Sequence, residues 1–445
     1  MKGMEERMAA DEFDVVVVGA GMAGLTAARA LGEGGLRVCV LEARDAVGGR
    51  IMTKRAEAEV VELGAEFVHG RPPELWALID EIGLESYERD GAQVGFEDGW
   101  LQDYSDELDD VFEPLEELED WTGPDCSFAE FLDRKGIDGG RRWQMVGYVE
   151  GFNAADHGVI SAASLGAQQK AEDATEGDRV FRVRDGYDRL PEYLAERVTE
   201  LGGVVRLGHV VEEIRWSEGG AEIVTGMGVF SARRVVVTLP LGVLQRGSVR
   251  FTPPVDGVMD AAAKMRMGQV CRFTLVFRSR FWQELEPQPA MGRLSFLFTF
   301  EEMPRVWWTP HPEVSNSITG WVGGPKAEEL IRLSTEELAR VAVRTLAKVM
   351  GLEEEAVRRE LIECYTHDWE ADEFARGAYS YVAAGGLGAP AAMAEPVAGT
   401  LFFAGEHTDV SGHWGTVHAA MRSGLRAAEQ IWRGLARLPY RTPDG

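Results

Sequence analysis

The sequence predicts an α/β protein, α+β overall: one discontinuous parallel-sheet domain with a second domain of mixed sheet and helices interleaved into it. Three observations lead there. Four consecutive valines, Val15 to Val18, run straight into the glycine-rich Gly19-Ala20-Gly21-Met22-Ala23-Gly24, as a strand buried on both faces does when it turns into a helix. Similar apolar strands recur far along the chain, at Arg234–Pro240 and Thr400–Glu406. The stretches between them change character, from helical periodicity to alternating strands. With 445 residues, 45% of them hydrophobic, the chain is long enough for two or three domains with sizeable cores.

Taken in order, the first element is a strand, turn and helix that starts near Met22. Gly19 permits the tight turn, Gly21 lets the backbone approach a phosphate, and Gly24 brings the helix close to the sheet. The free N–H groups and positive end of that helix suit a pyrophosphate. The next strand, Arg37–Leu41, ends at Glu42, where an acid accepts hydrogen bonds from an adenosine ribose. Together these make a Rossmann-like dinucleotide cradle. Ala43–Arg50 is a second glycine-rich turn whose Arg44 and Arg50 offer forked donors to phosphate oxygens. Val61–Gly70 adds a close-approach glycine, Gly64, and ends in His69.

From Pro72 to about Arg184 helical periodicity is expected, including an acidic helix over Asp106–Asp120 with Leu108, Val111, Phe112, Leu115 and Leu118 on one face. Strand signals return at Gly202–Leu207, Val210–Ile214 and Arg234–Pro240. Phe273–Phe277 and Ser317–Val322 read as strands of a second sheet, and a helix from about Val417 to Arg433 follows the last parallel strand. The implied domains are 1–71, 185–250 and 395–445 for the dinucleotide, and 72–184 with 251–394 for a substrate.

A net charge of -28 disfavours nucleic acid and anionic membrane as partners. Cys39, Cys126, Cys271 and Cys364 are far apart, without CxxC or metal-ligand spacing. No metal site is expected, and a reducing, cytoplasmic location is. Met1–Glu12 has no apolar core of the kind a secretory signal needs.

Several blocks together resemble the flavin-dependent amine oxidases, a family that includes monoamine and polyamine oxidases and the flavin-type histone demethylases. They are Val17–Leu25, Gly48-Gly49-Arg50, Glu62–Ala65, Val237–Leu244, Arg376–Tyr381, Phe403–Thr408 and Gly415–Ala420. The likeness covers nearly the whole chain, and the Arg376 and Phe403 blocks are closest to the polyamine oxidase and demethylase branches.

That resemblance implies FAD as cofactor and a small-molecule amine as substrate, oxidised by hydride transfer to the flavin. It assigns Glu42 to the ribose, Arg44, Gly49 and Arg50 to the pyrophosphate region and the Val211 backbone to the adenine. Glu406 would reach the pyrophosphate or ribityl chain. Gly64, Ala65 and Glu66 would lie along the isoalloxazine edge, with Val417 at its pyrimidine end. Ala378 replaces the cysteine that links flavin covalently in mitochondrial monoamine oxidases, so attachment is expected to be non-covalent. Tyr379 resembles one of the aromatic pair around the substrate amine and Trp369 a tryptophan beside the flavin, while Thr416 stands where the second aromatic would be.

His69 falls where polyamine oxidases place a histidine or acid that meets an amino group along the substrate. Phe67 replaces an arginine that grips carboxylates in L-amino-acid oxidases, although Arg71 or Arg305 could do so from another direction. Arg272 occupies the position of a lysine that assists reoxidation by oxygen. Arginine is not equivalent there, which leaves oxygen or another electron acceptor open, as well as a strand arginine that merely reaches solvent. Two rivals share the FAD half of the pattern: a carbon–carbon desaturase or protoporphyrinogen-type oxidase, and a non-catalytic flavoprotein. Oligomeric state is not legible.

Overall fold

The computed structural model describes residues 11–56, 59–104, 115, 117–121, 123–285 and 291–436. The valine run forms the strand Asp11–Val18 and enters the helix Met22–Glu33. It is the centre of an eight-stranded sheet. Parallel neighbours are Val38–Leu41 on one side, itself flanked by Val204–Arg206, and Gly228–Val237 on the other. Leu401–Phe403 also pairs in parallel with Gly228–Val237, so strands far apart along the chain share one sheet. The antiparallel ribbon Val211–Ser217 and Gly220–Thr225 extends from that strand, and Arg250–Thr252 closes the edge.

The alternation of a strand explains why four valines are needed in succession. Val15 and Val17 enter the core beneath the helices Met22–Glu33, Arg189–Glu200 and Val417–Ala436, while Val16 and Val18 enter the core on the opposite face. The second sheet has seven strands, in the order Leu361–Thr366, Val270–Phe277, Ser317–Gly323, Val306–Trp308, Leu294–Thr299, Ala92–Glu97 and Trp100–Asp103. Helix Thr335–Met350 covers its core. A helical layer, Phe128–Lys135, Gly139–Asn153 and Ala162–Asp173, packs around Phe128, Phe131, Met145 and Val149.

Two expectations change, and a third falls mostly outside the described residues. The stretch 72–184 is not uniformly helical: it carries the strands Ser86–Glu88, Ala92–Glu97, Trp100–Asp103 and Val180–Val183, where cross-strand pairing overrides local periodicity. The domain limits also move. Helix Pro73–Ile82 buries Leu75, Leu78 and Ile79 in the dinucleotide core together with Phe181 and Val183. Val255, Val258, Ala262 and Met265, with Val382, Ala389 and Met393, fill the core on the sheet's other face. Apolar faces that the large sheet needs for burial therefore come from chain assigned to the substrate domain. Finally, most of the acidic helix read over Asp106–Asp120 lies outside the described residues; within them, Leu115 and Leu118 are buried. Among the described residues no helix is long and apolar enough to cross a membrane.

Candidate active site

One continuous cavity of about 970 Å³ runs from Val211 and His209, past the glycine turn, to Trp143 and Phe300 in the helical layer and second sheet. Its first half is the cradle. Gly19 has φ +104°, and a Cβ there would lie 2.5 Å from Thr238 Oγ1; on Gly24 it would lie 2.0 Å from the Gly19 carbonyl oxygen. Both are packing glycines. Gly21 differs, because a Cβ there would meet nothing nearer than Gly48 O at 4.0 Å and would project where a ligand must approach. The helix begins at Gly21 with no side-chain cap and no acid in its first turn, and Met22 and Ala23 line the cavity. A dinucleotide phosphate fits that open, positive helix end.

Glu42 lines the cavity with its carboxylate fixed by the backbone N–H groups of Ala20 (2.7 Å) and Arg44 (2.9 Å). Burial raises its pKa against those hydrogen bonds. Val211, the adenine candidate, opens the strand at this end of the cavity, and His209, just before the strand, lines the cavity too. Both ends of the Arg44 fork are taken by Asp372, at 2.8 Å each, and Arg44 lies over Phe374. Asp372 also meets His367 at 2.7 Å. Arg44 lines the cavity and also anchors the loop that carries Trp369.

Beyond the cradle, Gly49 and Arg50 line the cavity, and Arg50 donates to Glu406 (2.8 Å) and Ala378 O (2.9 Å). Glu406 also accepts from the Ser380 hydroxyl (2.6 Å) and Gly415 N–H (3.0 Å). Burial would raise its pKa, but the Arg50 charge and these donors outweigh burial and hold it low. A Cβ on Gly64 would lie 1.9 Å from Arg50 O, so the chain crosses here only as glycine. Gly64, Ala65 and Val417, the first residue of the last helix, all line the cavity.

Trp369 is buried and donates to Leu63 O at 2.9 Å. Tyr379 faces the same cavity, with its hydroxyl held by Phe152 O at 2.6 Å and burial raising its pKa. Both are cavity-wall aromatics rather than pure core. Thr416 lines the cavity too, but its hydroxyl donates to His413 O (2.8 Å) and accepts from Ala419 N–H (3.1 Å). Its hydroxyl therefore caps the last helix while the residue stands on the cavity wall.

Arg272 does not reach solvent. In the strand Val270–Phe277, Cys271, Phe273, Leu275 and Phe277 face the second core, so the pleat turns Arg272 to the cavity, where it is 4% exposed. It donates to Gly64 O at 2.6 Å and pairs with Glu66, which also binds Arg182 (2.7 Å) and Trp308 Nε1 (3.1 Å). Burial would raise the Glu66 carboxyl, but Arg182, Arg272 and Arg89 outweigh it and hold it below the usual range. Burial brings Arg89 down to about 10. Glu66 lines the cavity, and its side chain, for which no role was expected, is the hub of a buried cationic cluster. Arg182 is the partner that sequence reasoning missed, although an arginine within the apolar Val180-Phe181-Arg182-Val183 was a visible signal of a buried charge.

His69 lines the cavity between Phe67 (6.0 Å) and Phe152 (5.7 Å), and burial with the nearby Arg89 charge lowers its pKa to about 4. His418, on the last helix, is driven to about 2 by burial, with His413, Arg422 and His69 adding to it. Both rings are neutral at pH 7. Phe67 packs on Trp308 at 5.4 Å. Of the two arginines considered for a carboxylate, Arg305 lines the cavity, whereas Arg71 lies outside it over Trp76 and Phe181. Tyr148, stacked on Phe152 at 5.5 Å, and the polar group Asn153, Gln168 and Glu172 complete the distal wall. Sequence reasoning found none of these four.

The family model for flavin containing amine oxidoreductases matches residues 22–138 and 125–432. This chain belongs to that family. The putrescine oxidase of Kocuria rosea is 30% identical over 94% of this chain and 95% of its own. Polyamine oxidase 2 of Arabidopsis thaliana is 29% identical over 95% and 89%. Lysine-specific histone demethylase 1 homolog 2 of the same plant is 30% identical, and there this family member spans only 58% of the relative's length. Among solved structures, a putrescine oxidase bound to putrescine superposes with a TM-score of 0.82 at 25% identity, covering 95% of this chain and 99% of that one. Cyclohexylamine oxidase from Brevibacterium oxydans IH-35A shares the fold, with a TM-score of 0.81 at 22% identity over 96% of this chain and 100% of that one.

Proposed function

We propose that the protein is an FAD-dependent amine oxidase that converts a primary or secondary amine to an imine, which water hydrolyses to an aldehyde. The observation that carries this reading is the single cavity that joins the dinucleotide cradle to a wall of Tyr379, Trp369, Phe152 and His69. Family membership and the similarity to putrescine and polyamine oxidases support it. FAD, when bound, supplies the hydride acceptor; Glu42, the open helix end at Gly21, Arg50 and the Gly64–Ala65 backbone would hold it.

The chain's own residues set the protonation state of the substrate nitrogen. Arg272, with Arg182 and Arg89 behind it, makes the inner end of the site cationic around the Glu66 carboxylate, with the buried Glu62 carboxyl nearby raised to about 7 by burial. Neutral His69 and His418 offer no charge to a cation. An ammonium is therefore repelled there and the free amine is favoured, which is the form with a lone pair to support hydride loss. Tyr379 and Phe152 keep the amine desolvated, and the Tyr379 ring cannot swing because its hydroxyl is tied down.

Anaerobic mixing with a panel of amines tests this. Flavin absorbance at 450 nm is expected to bleach, with a rate that rises with pH as the amine loses its proton. Absence of bleaching with every amine overturns the reading, and a rate flat across neutral to alkaline pH overturns the free-amine requirement. The flavin is also proposed to be non-covalent, since Ala378 provides no thiol where Arg50 meets the cavity wall. Acid precipitation is expected to leave a yellow supernatant and a colourless pellet. Hydrogen peroxide formation, with oxygen as acceptor, and a cytoplasmic location belong to the same proposal; all four cysteines are buried thiols.

A further inference from the structure

At its outer end the cavity holds a half-buried cation without a close counter-charge. Arg305 lines the cavity and lies over the Trp143 ring at 4.8 Å, a contact made by the charge that uses up no N–H donor. Among the described residues its guanidinium has no hydrogen-bond partner, and Glu150 is the one charged group that acts on it. That carboxylate is already held by His157 at 2.7 Å and Lys326 at 3.5 Å. Glu172 also lines the cavity, but it is bonded to Gln168 and acted on by Asp173, not by Arg305. Burial lowers the Arg305 pKa from its usual value, as for a cation that nothing nearby balances.

Between Tyr379 and this cation the cavity is built as an apolar channel. One wall is a ladder of rings. In the strand Leu294–Thr299, Leu297 enters the second core while Phe296 and Phe298 turn to the cavity and stack at 5.9 Å, and Phe300 continues the stack at 6.4 Å. Trp143 meets Phe300 edge-on at 5.8 Å. Another wall is the helix Gly139–Asn153, whose Gly147 and Gly151 line the cavity one turn apart. A Cβ on Gly151 would meet nothing within 4 Å, and one on Gly147 would meet only Arg305 Nη1, at 3.8 Å. Glycine weakens a helix interior relative to alanine, and here it leaves open lumen where side chains would stand. Phe152, near the end of the same helix, holds the Tyr379 hydroxyl through its carbonyl. From there back to Gly147, beside Arg305, the helix axis covers about 7.5 Å.

A ligand that fills this channel presents its amine at Tyr379, lays an apolar or aromatic body along the ring ladder, and ends in an anion. From the unbalanced cation at the end of the channel we infer that the enzyme takes amines carrying a remote carboxylate, ω-amino acids in the chemical sense, and that Arg305 is the residue that selects them. A guanidinium fork matches the two oxygens of a carboxylate, and a single charge costs less to desolvate beside so many rings than the nearly double charge of a phosphate ester. The inference rests on the amine-oxidation reading and names a substrate class for it. The carboxylate is far from the reacting carbon, so short amino acids do not reach Arg305.

The test uses the FAD-loaded enzyme, reduced anaerobically at pH 8 by ω-aminoalkanoates of increasing length and by their primary amides, which keep the shape and lose the charge. Beyond a threshold length the apparent Kd of the carboxylate is expected to be about tenfold or more below that of its amide, the usual worth of a charge-assisted contact. At the shortest lengths the two are expected to agree within about twofold. In Arg305→Gln the ratio is expected to fall to within about twofold at every length, the ratio cancelling any general effect on the fold or flavin. Equal Kd values for carboxylate and amide at every length in the wild-type enzyme overturn the inference without touching amine oxidation, and need no variant. A preference for the carboxylate confined to the shortest chains, or one that survives in Arg305→Gln, overturns it as well. Bleaching by n-alkylamines but by none of the ω-aminoalkanoates overturns this inference alone, whereas failure of every amine to bleach the flavin overturns the parent reading and this inference with it.

Discussion

Replacing Glu66 with alanine is expected to destabilise the protein by about 3–5 kcal/mol, the usual cost of removing one partner from a buried ion pair. The reason is the crowding of like charge. Arg182 and Arg272 would lose their shared carboxylate, and Trp308 its acceptor, in a region where Nη1 of Arg182 and Nε of Arg272 and Arg89 already lack partners. Urea unfolding followed by tryptophan fluorescence measures it. Glu66→Gln is expected to fall between, because the amide oxygen still accepts one N–H. The sign of the pH dependence follows from the lowered carboxyl pKa. The stabilisation is complete above the unfolded value of about 4.3 and is lost as pH falls through the lower folded value, so wild type and variant converge in acid. A variant as stable as wild type at neutral pH would show that the cluster is solvated.

The second large effect separates two neighbouring glycines. Gly24→Ala places a methyl 2.0 Å from the Gly19 carbonyl oxygen and 3.1 Å from Val17 Cγ1, with backbone that cannot yield. The helix Met22–Glu33 must shift off the sheet, and both stability and FAD retention are expected to fall, stability by roughly 1–3 kcal/mol or more as in other overpacked cores. Gly21→Ala meets only open cavity. Its apo-protein is expected to unfold within about 0.5 kcal/mol of wild type, as for a substitution without a clash, yet to bind FAD at least tenfold more weakly, about 1.4 kcal/mol. Equilibrium dialysis and urea unfolding of the two apo-proteins give both numbers. Equal FAD affinity in Gly21→Ala would move the pyrophosphate away from this helix.

These contrasts show which features could be read from sequence. The cradle was legible because its signals are local: the valine run, the glycine spacing and Glu42 at the next strand end all fall within thirty residues. The strands at Arg234 and Phe402 were legible as buried runs, and the alternation Cys271, Phe273, Leu275, Phe277 already carries the information that Arg272 faces the other way. The domain limits were less so. Helix Pro73–Ile82 and the strand Val180–Val183 read as ordinary amphipathic pieces, and only their packing partners assign them to the dinucleotide core.

By itself, then, the sequence determined the fold class, the dinucleotide site and the family resemblance, since each rests on residues close together or on a repeated pattern. Only the tertiary structure decided how charges are paired. Glu66 with Arg182 and Arg272, Arg44 with Asp372 and Glu406 with Arg50 join residues 116, 206, 328 and 356 positions apart. A charge's partner is set by distance in space and by the water excluded around it, and neither quantity is encoded in spacing along the chain.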